Sequence, residues 1–121
     1  MKFKTFIFYW LPVLLYSGLI FYLSSLSKPI PDVLLVEFSY SDKLLHIIEY
    51  FILAFLVFRL LNFYKVSKAY LYAIILTVLY GITDEIHQLF VPGRFFSVYD
   101  IMANSIGALL VFANKYFYKK N

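Results

Sequence analysis

Apolar residues run along this chain in long blocks, not in the alternating or single-face patterns of a soluble fold. Phe6 to Leu23 passes without a charge. A second block runs from about Lys43 to Leu61 and is interrupted near its start by His46 and Glu49. A third, from about Ala69 to Phe90, is apolar apart from Thr77 until it reaches Thr83. The fourth, from about Val98 to Tyr118, carries Asp100 and Asn104 in its first turns. A helix of about 20 mainly apolar residues crosses the hydrocarbon core of a bilayer. The pattern therefore predicts an all-α integral membrane bundle of four transmembrane helices, at about 6–26, 43–61, 69–90 and 98–118. Pro12 and Gly18 are tolerable inside a membrane helix. Pro29-Ile30-Pro31-Asp32 breaks the chain after the first block, and Pro92-Gly93 is a turn signal between the third and fourth.

Composition supports this reading. The chain has 121 residues, one domain's worth, and 63% of them are hydrophobic, with a mean hydropathy of +0.79. A soluble domain this short has no core large enough to hide so much apolar surface. The start Met1-Lys2-Phe3-Lys4 is like that of a signal peptide. The apolar run behind it is longer than a signal core, however, and Ser24-Ser25-Leu26-Ser27-Lys28 offers no small-x-small cleavage site. The first block is read as a retained span. Cysteine is absent, which removes disulfides, thiolate catalysis and Cys-ligated metals. No basic run interleaved with aromatics points to nucleic acid, and no nucleotide loop or nucleophile elbow is present.

The net charge of +4 matters less than its distribution. Lys2 and Lys4, then Arg59, Lys65 and Lys68, then Lys115, Lys119 and Lys120 fall on one side of the expected spans. Only Lys28, Lys43 and Arg94 fall on the other. Basic residues favour the cytoplasmic side, so both termini are expected inside. Every acid (Asp32, Glu37, Asp42, Glu49, Asp84, Glu85 and Asp100) then lies on the outer side or in the outer part of a span, as do His46 and His87.

Helical spacing sorts these residues by face. His46, Glu49 and Tyr50 share one side of the second span, and Tyr80, Asp84, His87 and Gln88 one side of the third. Glu85 lies about 100° from that side. Ser97, Asp100, Asn104 and Gly107 form a small-and-polar stripe on the fourth, where Gly107 and Ala108 allow close helix approach. Three stripes at one depth predict a shared pocket. Glu49 is the deepest acid, roughly 9 Å from the start of its span. Asp42, Glu49, Asp84, Glu85 and Asp100 stand against Lys43 and Arg94 only. Such an excess needs compensation, so the site is expected to hold protons, a metal ion or a cationic ligand group. His46-x-x-Glu49 and Glu85-x-His87 put metal-ligand types close together without a signature spacing, which is weak support for a divalent metal.

Plainer roles account for part of the cluster. Ser97-Val98-Tyr99-Asp100 fits a capping box, and Ser39-Tyr40-Ser41-Asp42 permits the same for Asp42. Lys43 fits a snorkelling anchor. Arg59, Lys65 and Lys68 read as topology determinants. Asp84 and Glu85 sit at a helix C-terminus, where the macrodipole disfavours negative charge; capping does not explain them, whereas pairing with Arg94 or Lys43 does. His87 and Gln88 fit ordinary interfacial residues.

These stretches also resemble a known family. Asp42-Lys43 with His46 and Tyr50, Asp84-Glu85 with His87-Gln88, Pro92-Gly93-Arg94, and Asp100 with Asn104 and Gly107 are similar to the VanZ-like family in order and spacing. The resemblance runs from about Ser41 to Gly107, more than half of the chain. It implies a single VanZ-like membrane domain over 1–121, in a family of small bacterial envelope proteins named for a member associated with low-level teicoplanin resistance. It also implies that Asp42, Lys43, His46, Tyr50, Asp84, Glu85, His87, Gln88, Arg94, Asp100 and Asn104 form the functional group. It brings no reaction with it.

Three function classes follow. The first is a site at the outer leaflet that binds or modifies an envelope lipid or lipid-linked glycan. There His46, Glu49, Asp84, Glu85, His87 and Asp100 would supply acid and base, and Lys43, Arg94, Asn104, Gln88, Tyr50 and Asp42 would hold the substrate. Arg94 and Lys43 are suited to a phosphate. The second is a proton- or ion-coupled transporter, since intramembrane acids often mark ion pathways. The third is a non-catalytic scaffold or partner subunit. Membrane lipids are the expected partners, with homo-oligomers permitted.

Overall fold

In the computed structural model, which describes residues 2–26 and 39–113, all regular structure is helical. Four helices form. The first, α1, spans Phe3–Ser24 and contains a π-helical turn at Phe6–Trp10. Then come α2 over Ser39–Phe63, α3 over Ala69–Gln88 and α4 over Val98–Phe112, whose last turn is 3₁₀. The first three are long and apolar enough to cross a membrane. The described part of α4 is shorter, roughly 22 Å against a hydrocarbon core of about 30 Å. The expected continuation of this helix to residue 118 lies outside the described residues, as do Asp32, Glu37 and the Pro29-Pro31 break.

The wide turn in α1 has a local cause. Pro12 offers no amide to the carbonyl of Phe8 and crowds it, and such sites open a helix. The Phe8 carbonyl accepts instead from Arg59 Nη2 at 3.4 Å, and the same guanidinium lies 5.4 Å from the centroid of the Tyr9 ring. Arg59, read from the sequence as a topology determinant alone, therefore also ties α2 to α1.

The connections follow from their residues. After α2, Val66 N donates to Leu61 O and Lys65 N to Asn62 O, at 3.1 and 3.0 Å, with Lys65 at a left-handed φ of 56°. This is a Schellman closure. After α3, Arg94 N donates to Val91 O at 3.1 Å and Gly93 has φ 80°. Proline followed by a residue of positive φ is the type II arrangement that Pro92-Gly93 predicts.

Helices α2, α3 and α4 pack as a tight trio, with α2 against α4 the most extensive pair. Small residues make this possible. Ala54, Phe58, Ala69, Ala73, Ile74, Ala108 and Val111 form one buried cluster. A Cβ at Gly107 would overlap the Ile47 carbonyl oxygen and lie 3.0 Å from Phe51 N, so at this point α4 touches the backbone of α2. Helix α1 leans on the trio through Ile20, which joins Tyr50 and Leu53 in a second cluster. Large apolar side chains elsewhere, among them Leu14, Leu15, Phe21, Leu44, Leu76, Leu79 and Met102, are exposed. An exposed surface of this kind suits lipid, not water.

Candidate functional site

The polar residues gather at the end of the bundle where α1 and α3 finish and α2 and α4 begin. They form two adjoining groups and a clasp.

The first group lies between α2, α3 and α4. Lys43 Nζ is paired with Asp100 Oδ1. His46 Nδ1 donates to Asn104 Oδ1 at 2.8 Å, and its Nε2 lies 3.8 Å from Asp100 Oδ1. The start of α4 explains why Asp100 is available for Lys43. Ser97 Oγ accepts from Asp100 N at 3.3 Å, as the N-cap of a capping box should. The reciprocal bond comes from elsewhere: Ser97 N donates to Glu85 Oε2 at 3.1 Å. Glu85 thus caps the next helix across the turn, beside the positive end of its dipole. This corrects the expectation that capping cannot explain Glu85. Its own helix has no use for the charge there; the following helix does.

The second group lines a cavity of about 310 Å³ between α1, α2 and α3. Leu19, Ile20, Leu23, Leu45 and Ile48 form the apolar wall, and Tyr16, Ser24, His46, Glu49, Asp84, Gln88 and Arg94 the polar part. Asp84, Gln88 and Asn104 are buried, and Tyr50 and Glu85 are wholly so. Tyr50 Oη donates to Asp84 Oδ2 at 3.3 Å, which links the cavity to the interior of the trio. Gly81 allows this closeness: a Cβ there would lie 3.1 Å from the Tyr50 ring and 3.2 Å from Asn104 Nδ2.

The clasp holds α1. His87 points to Ser24 and Ser25, with Nδ1 3.2 Å from Ser24 Oγ and Nε2 3.4 Å from Ser25 Oγ, and it stacks on Phe21 at 4.2 Å. His87 therefore stands apart from the Lys43, His46, Asp100 and Asn104 group. Arg94 donates through Nε to Leu26 O at 2.8 Å and through Nη2 to Leu23 O at 3.2 Å. A cation bonded to the last carbonyls of a helix is a favourable C-terminal cap. Tyr16 Oη donates to the Glu49 carbonyl at 3.0 Å, and Tyr80 Oη donates to the Ser17 carbonyl.

The described contacts of the two cations are with other partners than the α3 acids that the sequence suggested: Lys43 joins Asp100, and Arg94 joins α1. Asp84 Oδ1, Glu85 Oε1 and Asn104 Nδ2 have no hydrogen-bond partner among the described residues. No group of three or more His, Asp and Glu able to hold a metal ion occurs among the described residues. The side chain of Asp42 lies outside the described residues.

The polar stripes in the sequence point to the last three spans, and α1 adds a share of its own: Tyr16, Leu19, Ile20, Leu23 and Ser24 line the cavity. Tyr16, Ile20 and Ser24 recur at four-residue spacing, which puts them on one helix face. That stripe was the available signal, and it faces the cavity.

No curated protein and no solved structure matches the chain. A family model, VanZ/LLP1, matches residues 3–117, nearly the whole of it. With apolar helices of membrane-crossing length beneath that match, the chain belongs to the VanZ/LLP1 family.

Proposed function

We propose that this VanZ-family protein is a multi-pass protein of the bacterial cytoplasmic membrane whose cavity, at the extracytoplasmic face, binds or modifies an envelope lipid or lipid-linked glycan and so influences susceptibility to glycopeptides such as teicoplanin. One observation carries the reading: the cavity is amphipathic. Its apolar wall of leucines and isoleucines suits a lipid chain, and His46, Glu49, Asp84, Gln88 and Arg94 are gathered on the same space. Ligand sites are commonly mostly apolar with a few converging polar groups, and about 310 Å³ lies at the small end of their range. Glu49, Asp84 and His46 are the acid and base groups within reach of a bound head-group.

The test uses Asp84→Asn and Glu49→Gln, each with membrane insertion confirmed. The expected outcome is altered glycopeptide susceptibility together with an altered profile of envelope lipids. Both mutants leaving both readouts at wild-type values would contradict the proposal.

A scaffold reading is favoured by one specific feature. The Lys43–Asp100 pair and the Glu85–Ser97 bond join helices and are outside the cavity. If alanine at Lys43 or Asp100 lowers protein abundance in proportion to activity, those charges serve assembly. Loss of activity at normal abundance would place them in the site.

A further inference from the structure

At the opposite end of the bundle, the end of α2, the start of α3 and Phe112 of α4 border a second cavity, of about 410 Å³. Its floor is aromatic. Phe58 stacks on Tyr70 at 4.0 Å, and the near-parallel rings of Tyr70 and Phe112 lie 6.2 Å apart. Leu71 and Phe112 line the cavity and are also exposed, so the floor runs on into the lipid-suited outer face. Asn62 and Lys68 supply polar groups to the lining.

The charge at this end is of one sign. Glu49, Asp84, Glu85 and Asp100 belong to the other end. Lys65 and Lys68 follow α2 here, and among the described residues neither side chain has a hydrogen bond or an ion pair. Arg59, by contrast, is held by the Phe8 carbonyl and the Tyr9 ring. Beyond the described part of α4 the sequence brings Lys115, Lys119 and Lys120 and no acid. Lys68 stands in the left-handed region at φ 59°, where glycine fits without steric cost. Setting the direction of insertion needs positive charge somewhere in this loop; it does not need a lysine at this position, beside a cavity. Lys68 also immediately precedes Ala69, where α3 and its apolar run begin, which is the height of the lipid head-groups.

We propose that this second cavity holds an anionic phospholipid, its phosphate accepting from Lys68 Nζ and Asn62 Nδ2 and one acyl chain lying against Leu71 and Phe112. An ammonium group without an acid beside it is matched by a phosphate. The aromatic floor, open on its lipid side, is matched by a chain, which a free phosphate lacks. The site is separate from the first cavity and does not depend on what that cavity binds.

The test offers the full chain, in a neutral detergent, dioleoyl phosphatidylglycerol or dioleoyl phosphatidylcholine, with retention read by native mass spectrometry. The acyl chains are the same, so the comparison reads the head-group. Phosphatidylglycerol is expected to bind about fivefold more tightly, the contribution of one lysine at an anionic lipid surface. Lys68→Gly removes the cation and suits the left-handed backbone, so it should lower phosphatidylglycerol to the level of phosphatidylcholine without harm to the fold. Lys68→Gln, with a side chain kept in place, should do the same. Lys4→Gln removes one charge from α1, outside the cavity, and should leave the preference intact. Equal binding of the two lipids to the wild type would overturn the proposal, as would a preference that survives both Lys68 variants. An equal fall in the Lys4 and Lys68 variants would show attraction to overall charge and overturn the site. Inorganic phosphate should not displace phosphatidylglycerol; displacement would mean a site for a soluble anion and would overturn the lipid assignment.

Discussion

The Glu85 carboxylate reaches across the turn to the first amide of α4, and this contact determines what Asp100 is free to do. Within a capping box the acid three residues after the serine ordinarily returns a bond to the serine amide. Here the amide is taken, and Asp100 turns to Lys43 and His46. Glu85→Ala is expected to lower stability by about 1 kcal/mol, the cost of a half-buried amide left without its acceptor. Faster amide exchange at Ser97 to Ile101 and a lower unfolding midpoint in detergent are the measurements. Glu85→Gln keeps an acceptor oxygen and should recover most of the loss; equal damage from both variants would show that the charge matters more than the bond. This role was not legible in the sequence. Spacing sorts residues onto faces of one helix, but twelve positions separate Glu85 from Ser97, and only the Pro92-Gly93 turn brings them together. Arg94 was hidden for the same reason: its acceptors lie at the end of α1, 68 and 71 residues earlier. His46 and Tyr50, by contrast, were legible, because polar groups inside an apolar run have few places to go except the bundle interior.

Between elements, the decisive approach is α4 on α2. Gly107→Ala would press a methyl group into the backbone at Ile47 and Phe51, and backbone cannot rotate aside. Overpacking of this kind costs typically 1–3 kcal/mol, so the variant should unfold at lower temperature in detergent. Alanine at Gly18, where an added Cβ meets nothing within 4 Å, should leave the midpoint unchanged. The Lys43–Asp100 pair spans the same two helices, and its worth is best read by a double-mutant cycle. Asp100→Asn takes the Asp100 charge away from Lys43, so the Lys43→Met/Asp100→Asn double variant is expected to be less destabilised than the two single losses added together. Strict additivity would mean the pair contributes nothing. The positions of the helices were largely visible beforehand. Ala69 begins α3 and Val98 begins α4, where the apolar blocks begin. The ends were less visible: α2 starts at Ser39, four residues before the expected Lys43, because Ser39 to Asp42 are polar yet helix-compatible, and α3 stops at Gln88, with Leu89 and Phe90 in the turn. Apolarity defines which residues favour lipid, whereas hydrogen bonding defines which are helical, and the two boundaries need not coincide.

At the scale of the whole molecule, three helices form a core, and the fourth, α1, closes a cavity against it through polar links: Tyr16 to Glu49, Tyr80 to Ser17, Arg94 to Leu23 and Leu26, and Ser24 to His87. The asymmetry of basic residues predicts termini in the cytoplasm and this polar end outside. Because the chain has no cysteine, single cysteines can report on that directly. One at Val66, in the loop after α2, should be shielded from a membrane-impermeant thiol reagent in intact cells, and one at Phe95, after the Pro92-Gly93 turn, should be labelled; the reverse pattern would invert the topology. The apolar wall of the cavity was not foreseeable, since its leucines and isoleucines look like any lipid-facing residues until Leu19, Ile20 and Leu23 of α1 are seen to share a space with Leu45 and Ile48 of α2. The claim on which the function rests is that lipid enters this cavity, and photo-crosslinking tests it most directly. Membranes containing the protein and lipids with a photoreactive acyl chain are irradiated, and the labelled residues are identified by peptide mass spectrometry. The account predicts labelling concentrated on Leu19, Leu23, Leu45 and Ile48, above the level at exposed positions outside the cavity such as Leu76 and Leu79. Even labelling around the outer faces of all helices, with no excess at those four residues, would contradict it.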